Sequence, residues 1–226
     1  MQIQLVIFDI AGTTVEDNNS VHKALQTALA NVHFNFTIEE INPFMGIPKP
    51  IAIQSLLALK NAKPELITDT AFVARIYKDF EEEMLSLYAN PENLGPKPNS
   101  EEIFAWLRNQ GVKVALDTGF SRSITHLIIK NLRWEDKIDA SVASDEVANG
   151  RPFPDMIYKA MHLTEINDIN KVAKVGDTSF DLQEGSAASC RFVIGITTGA
   201  FSFNELQLEP HTHLIKDLIE LKGILD

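Results

Sequence analysis

The sequence predicts an α/β fold: a parallel sheet flanked by helices, with a helical module inserted after the first strand. Three observations predict it. Short apolar runs rich in β-branched residues recur along the chain and suit strands buried on both faces. Helical patterns separate most of these runs, the alternation expected of a parallel sheet. After the first run the alternation breaks, and residues 16–90 show helical patterning with no convincing strand.

In chain order, residues 3–8 (IQLVIF) form the first strand. Residues 20–30, 51–59 and 70–87 carry the helical patterns of the inserted module. The stretch NPENLGPKPN, residues 90–99, has three prolines and a glycine and reads as a linker. Alternation resumes near Ser100. Helices are expected over 101–109, 121–132, 154–161 and 180–188. Strands are expected over 112–116, 140–143, 172–175 and 192–196, with a weaker one over 213–215. The resulting organisation is a sheet domain made of residues 1–15 and 96–226, and a helical module of residues 16–95. No internal repeat or low-complexity tract interrupts it.

Composition excludes several classes of partner. The 226 residues are 45% hydrophobic and 23% charged, ordinary for a globular chain. Twenty basic against 31 acidic residues give a net charge of −11, with no basic stripe. Nucleic acid and anionic membrane are therefore poor partners, and an anionic substrate needs a local cationic site. No apolar run approaches the ~20 residues of a membrane span. The N-terminus lacks the features of a signal peptide. The one cysteine, Cys190, cannot form an intrachain disulfide and reads as a small core residue. These features lead us to expect a cytoplasmic location.

In an open parallel sheet the ligand site lies beyond the carboxyl ends of the strands. Asp9 falls there, as do Asp117 and Thr118 in VALDTGFSR and Asp177 in KVGDTSFD. The turn AGTT after Asp9 is expected to offer backbone amides to an anion, as are Thr118 and Gly119. Asp177 and Asp181 would crowd the start of one helix. Two carboxylates ~4 Å apart repel by roughly 4 kcal/mol at an effective dielectric of 20. Such a cluster either shifts its pKa values or recruits a cation, and magnesium suits it. Arg151, between Gly150 and Pro152, can bridge a carboxylate and a phosphoryl group. Each residue taken singly has a blander reading, the acids as helix caps and Arg151 as a surface loop residue.

Together, four segments resemble the motifs of the haloacid dehalogenase (HAD) superfamily. Asp9-Ile10-Ala11-Gly12-Thr13-Thr14 is similar to its first motif, Thr118 to its second and Arg151 to its third. Gly176-Asp177-Thr178-Ser179-Phe180-Asp181 is similar to its fourth. The resemblance implies a Rossmann-like core with an inserted α-helical cap of the C1 type. It implies that Asp9 is the nucleophile that forms an aspartyl-phosphate. It implies further that Asp9, the Ala11 carbonyl and Asp177 hold Mg2+ with support from Asp181. Thr118 and Arg151 would hold the phosphoryl oxygens, with Gly12, Thr13 and Gly119 lining the substrate. It also suggests a homodimer through the cap's amphipathic helices, with packing inside one cap as the alternative.

Ala11 departs from the phosphatases of this superfamily, which place a second Asp there as general acid and base. That help is worth typically ~10²–10⁴-fold. The phosphonatase-like branch carries Asp-x-Ala-Gly-Thr-Thr, and a Lys of its cap forms a Schiff base with a substrate aldehyde. Met45-Gly46-Ile47-Pro48-Lys49 is similar to that branch's Met-Gly-x-x-Lys loop. The resemblance thus makes Lys49 the Schiff-base residue, beside Met45 and Gly46, on a small phosphonate substrate. A solvated Lys on an exposed loop is the plain alternative. The branch follows its Lys shortly with a His, where Pro50, Ile51 and Ala52 stand here, and has Tyr where Phe120 stands. His22 and His33 are the cap's own candidates to substitute. A phosphatase for a small phosphate ester is the second expectation, and a catalytically idle ligand sensor the third. Trp106 and Trp134 read as core or helix-end packing, residues 79–84 as a solvated helix face, and His211 and His213 as a surface turn. Arg122 reads equally as an anion ligand or a helix cap.

Overall fold

Every predicted strand forms, and all six lie in one parallel sheet. The computed structural model describes residues 3–225, so residues 1, 2 and 226 of the predicted domain ranges lie outside the described residues. The strands are β1 (Leu5–Asp9), β2 (Lys113–Thr118), β3 (Ala140–Ala143), β4 (Val172–Gly176), β5 (Phe192–Ile196) and β6 (His213–Ile215). Their order across the sheet is β3-β2-β1-β4-β5-β6. All of β1 and β4 is buried, which is why they read as unbroken apolar runs rather than alternating ones.

The helices in chain order are α1 (Ser20–Ala30), α2 (Ile38–Ile41), α3 (Lys49–Leu59), α4 (Pro64–Thr68), α5 (Thr70–Ala89), α6 (Ser100–Asn109), α7 (Arg122–Leu132), α8 (Asp155–Leu163), α9 (Ser179–Ala187), α10 (Phe203–Leu206) and α11 (Leu221–Leu225). Each of the four not expected from the sequence has only four or five residues, too few for a periodic pattern. Helix α3 starts at Lys49, two residues earlier than the pattern suggests. Pro50 falls in its first turn, where the missing N–H has no helical partner to lose. Lys49 is therefore the first residue of a helix.

Between β1 and β2 the chain is helical, as expected, with α1, α3 and α4 packed on α5. The two segments that join these helices to the sheet run side by side. Val15 bridges Pro96, Glu16 donates its amide to Gly95 O (3.0 Å), and Lys97 donates its own to Thr14 O (2.8 Å). The stretch over 90–99 is thus pinned to the turn that follows Asp9. Cys190 and Trp134 are buried as expected, and the buried apolar residues of sheet and inserted helices form one continuous cluster.

Candidate active site

The strand order reverses between β1 and β4, so a crevice opens beyond their carboxyl ends. Asp9 ends β1 and Asp177 follows β4 directly. In the ladder Asp9 is level with Asp117 of β2, and Ile7 is level with Lys174 of β4. Side chains two apart on a strand share a face. Register alone therefore stacks Lys174 one step beneath the carboxylates of Asp9 and Asp117. Helix α9, packed over β4 and β5, brings Asp181 and Glu184 to the same place.

Arg151 enters this cluster from the loop before α8 and is 1% exposed. Its Nη1 donates to Asp9 Oδ1 (2.7 Å) and lies 3.0 Å from Asp181 Oδ1. Its Nη2 donates to Asp117, and its Nε donates to Glu184 Oε2 (3.0 Å). Lys174 donates to Asp117 and pairs with Asp181 (3.1 Å) and Glu184 (3.2 Å). Burial would lower the Arg151 and Lys174 pKa values, but their carboxylate partners outweigh it and raise both. Burial would raise Asp117, yet Lys174 and Arg151 hold it below its usual range. Glu184 goes the other way, pushed up to about 8 by burial and then by Asp117. Asp117 Oδ2 and Glu184 Oε1 are both buried without a partner. A proton on Glu184 offered to Asp117 satisfies both atoms.

A consequence for stability follows. Lys174→Met should destabilise the fold by about 3–5 kcal/mol, the typical cost of breaking a buried pair and stranding its partner charges. Urea unfolding at pH 7 measures this. A loss under about 1 kcal/mol would mean that Lys174 is not needed to neutralise the cluster.

Asp9, Asp117 and Asp181 bring oxygens within 4.8 Å of one another. Their shared space is already served by Arg151 and Lys174, so this trio makes a poor metal site. The donors that face the crevice are different. Asp9, Ala11 and Asp177 all line the cavity there. With Oδ1 of Asp9 on Arg151, no described residue donates to its Oδ2. Asp177 is held on edge, taking hydrogen bonds from Thr13 Oγ1 (2.8 Å) and the Ala200 amide (2.6 Å). Gly12, at φ +88°, lets the turn close against it, for a Cβ there would stand 2.3 Å from Asp177 Oδ2. Burial pushes Asp9 up to about 8, against Arg151 and with help from Asp181 and Asp177. Burial and Asp181 push Asp177 up to about 6. Hard oxygen donors whose burial disfavours their charge fit a divalent cation such as magnesium.

Above the crevice sits the loop Met45–Lys49. Gly46, at φ +92°, lies so close to the core that a Cβ would stand 2.3 Å from Thr178 Oγ1. A Cβ on Gly119 would stand 2.8 Å from the Ile47 carbonyl oxygen. The loop is thus seated between the turns after β2 and β4, and it delivers Lys49 into the cavity. Lys49 is 3% exposed. Its Nζ donates to Ile47 O (3.3 Å) and lies 5.9 Å from the Phe120 ring centre. No carboxylate of the described residues forms an ion pair with it. Burial pushes its ammonium down to about 8, opposed by Asp9 and assisted by Arg151.

One cavity thus joins Asp9, Ala11, Gly12, Met45, Gly46, Lys49, Thr118, Gly119, Arg151 and Asp177, with about 780 Å³ of free space including its open mouth. Two expectations need correction. Thr13 is fully buried with its hydroxyl on Asp177, so it supports that carboxylate instead of lining the cavity. Three of the four amides of the AGTT turn are spent inside it rather than offered to an anion. Gly12 donates to Val15 O, and Thr13 and Thr14 donate to Ile10 O, because the turn closes on itself. Of the two readings left open for Arg122, the anion ligand is not met, for its side chain turns away from the cavity to Ser141 and Glu146. Asp181 meets Arg151 and Lys174 and caps α9 through the Thr178 amide, one layer behind the cavity. The sequence did not single out Lys174 or Glu184, although a lysine inside a buried strand demands a carboxylate. His22 lines the cavity, while His33 is exposed outside it.

Comparisons with known proteins agree with this geometry. Residues 6–194 match the family model described as haloacid dehalogenase-like hydrolase. The chain is 30% identical over 233 residues to a phosphonoacetaldehyde hydrolase of Bacillus cereus, covering 98% of this chain and 85% of the relative. It is 28% identical over 230 residues to the enzyme of that name from Bacillus cytotoxicus, with the same coverage. Among solved structures, a phosphonoacetaldehyde hydrolase-like protein from Oleispira antarctica superposes with a TM-score of 0.87 at 20% identity, covering 100% of this chain and 92% of that one.

Proposed function

Because the chain belongs to the haloacid dehalogenase-like hydrolases, we propose that it cleaves the C–P bond of phosphonoacetaldehyde or a related carbonyl phosphonate. The observation that carries this reading is the burial of Lys49 in the cavity that holds Asp9, with Ala11 where a general acid would stand. A carbanion is a poor leaving group, and no acid beside Asp9 can rescue it. An iminium can, because it accepts the electron pair of the breaking bond.

In this reading residues 16–95 are the cap, and 1–15 with 96–226 the core. Lys49 condenses with the carbonyl carbon and releases water. Asp9 Oδ2 then attacks phosphorus while the C–P pair moves into the iminium, which becomes an enamine. Arg151 aims Asp9 through Oδ1 and, with Thr118, holds the phosphoryl oxygens. Met45, Gly46, Gly12 and Gly119 enclose the substrate, and the seated loop excludes water from it. Asp9, the Ala11 carbonyl and Asp177 would hold magnesium, with Asp181 behind, and the ion would supply the positive charge the carboxylates and phosphoryl group call for. Hydrolysis of the aspartyl-phosphate and of the product imine restores Asp9 and Lys49.

Phosphate release from phosphonoacetaldehyde with magnesium tests the reading. Turnover in the typical range of about 1–10³ s⁻¹ is expected. No release above an Asp9→Asn control, alongside release from small phosphate esters, would favour an ester phosphatase in which Lys49 only binds the substrate anion.

A further inference from the structure

Asp177 sits between two glycine walls. A Cβ on Gly12 would stand 2.3 Å from its Oδ2, and one on Gly199 would stand 2.1 Å from the same atom. The walls belong to the loops after β1 and β5, the strands that flank β4 in the sheet. The residue after each wall donates to the carboxylate. Thr13 follows Gly12 and gives its hydroxyl to Oδ1 (2.8 Å), while Ala200 follows Gly199 and gives its amide to Oδ2 (2.6 Å). The aim of Asp177 therefore depends on the spacing of two separate loops.

Lys97 joins those loops. It lies on the linker that returns the chain from the inserted helices to α6, and it lines the cavity. Its amide is tied to Thr14 O (2.8 Å), and its half-buried side chain bends back across the turn. Nζ donates to Gly12 O and to Thr198 O (3.0 Å). The first carbonyl leads into Thr13 and the second into Gly199, so both halves of the clamp on Asp177 hang from one ammonium. A lysine kept for solubility holds its charge in water. This one gives its hydrogen bonds to backbone carbonyls of two loops. Burial draws its pKa down, and Asp177 is the foremost group that opposes the change. Asn42, from the inserted helical segment, adds a further tie to the same loop by donating Nδ2 to Ala200 O (3.0 Å).

We propose that Lys97 is a positioning residue for magnesium, stapling the loops that aim Asp177. The inference rests on the reading of Asp177 as a magnesium ligand. Lys97 acts through that carboxylate and does not touch the ion. The sign of its effect separates a staple from a charge. Like charges repel, so on Coulomb grounds alone removing Lys97 tightens the binding of a cation beside it. Removing a staple does the reverse. The loops part, Thr13 and Ala200 lose their aim, and the carboxylate no longer presents a fixed oxygen. Magnesium demands near-ideal octahedral geometry and is sensitive to such loosening. Groups that orient metal ligands typically change metal affinity by about 10–100-fold when they are removed.

Isothermal titration of magnesium chloride into purified, substrate-free protein at fixed ionic strength is the test. Lys97→Met, shown to be folded by circular dichroism, should bind magnesium about 10-fold or more weakly. Lys97→Arg, whose fork can give an N–H to each carbonyl, should recover most of the affinity. Lys97→Gln keeps a donor but is too short to span both carbonyls, so it should be weakened like Lys97→Met. It carries the test if Lys97→Met does not fold. Magnesium binding as tight as wild type, or tighter, in the folded Met or Gln variant would overturn the staple. Weaker binding of inorganic phosphate with magnesium affinity unchanged would also overturn it, and would make Lys97 an anion ligand of the cavity. No binding heat in wild type, together with no magnesium-dependent rise in Tm, would remove the magnesium reading of Asp177 and the staple with it.

Discussion

Asp9→Asn is expected to lower kcat/KM by about 10⁴-fold or more, because in the proposed mechanism it removes the covalent nucleophile. The same change should make the protein more stable at neutral pH. Burial raises the Asp9 carboxyl to about 8 in the folded chain, against an ordinary value of 3.8. The folded state then binds more protons than the unfolded state between those values, so stability falls as pH rises through that window. Asparagine has no proton to lose and escapes the penalty. Without added metal, the variant should gain on wild type by a difference near zero at pH 4, growing to on the order of a few kcal/mol at pH 8. Urea unfolding of both proteins at several pH values measures it. A variant less stable than wild type at pH 8 would mean that the Arg151 contact outweighs the burial of the charge. Loss of function with gain of stability is the signature of a carboxylate kept in a costly place for its chemistry.

The sheet was legible because its strands are buried on both faces and so read as continuous apolar runs. The inserted helices were legible by the absence of such a run between β1 and β2. The carboxylates at the strand ends were legible because topology places any such residue in the crevice. Lys174 was not, since its acids come from β2 and α9 and meet it only through register and helix packing. The AGTT turn shows the converse limit. Sequence reveals which amides exist, but not that the turn spends three of them on Ile10 and Val15. His22 and Lys49 are 27 positions apart and share a cavity only because α1 and the Met45–Lys49 loop converge over the sheet. Lys49 itself reads equally as a solvated charge until its burial is seen.

That burial makes Lys49 the sharpest discriminator between the two readings of the site. Lys49→Met keeps the volume and removes the amine. If the amine forms a Schiff base, phosphate release from phosphonoacetaldehyde should fall by at least about 10³-fold with kcat and kcat/KM lost together. If it only binds an anion, KM should rise while kcat survives. Lys49→Arg separates the same ideas from the other side. It keeps a charge but cannot condense, so it rescues binding and not chemistry. The pH profile adds an independent sign. Only the neutral amine attacks, and an ammonium with a pKa of about 8 is about one-tenth neutral at pH 7. At the ordinary lysine value of 10.5 only about three parts in ten thousand would be neutral. The rate of adduct formation in wild type should therefore rise roughly tenfold per pH unit below 8 and level off above it. A rise that continues to pH 10 would show an amine unaltered by the cavity, and a flat profile would show that no amine titrates in the step. Burial thus makes the amine a few hundred times more available at neutral pH, and the ion pair that would undo this gain is the one that the cavity withholds from Lys49.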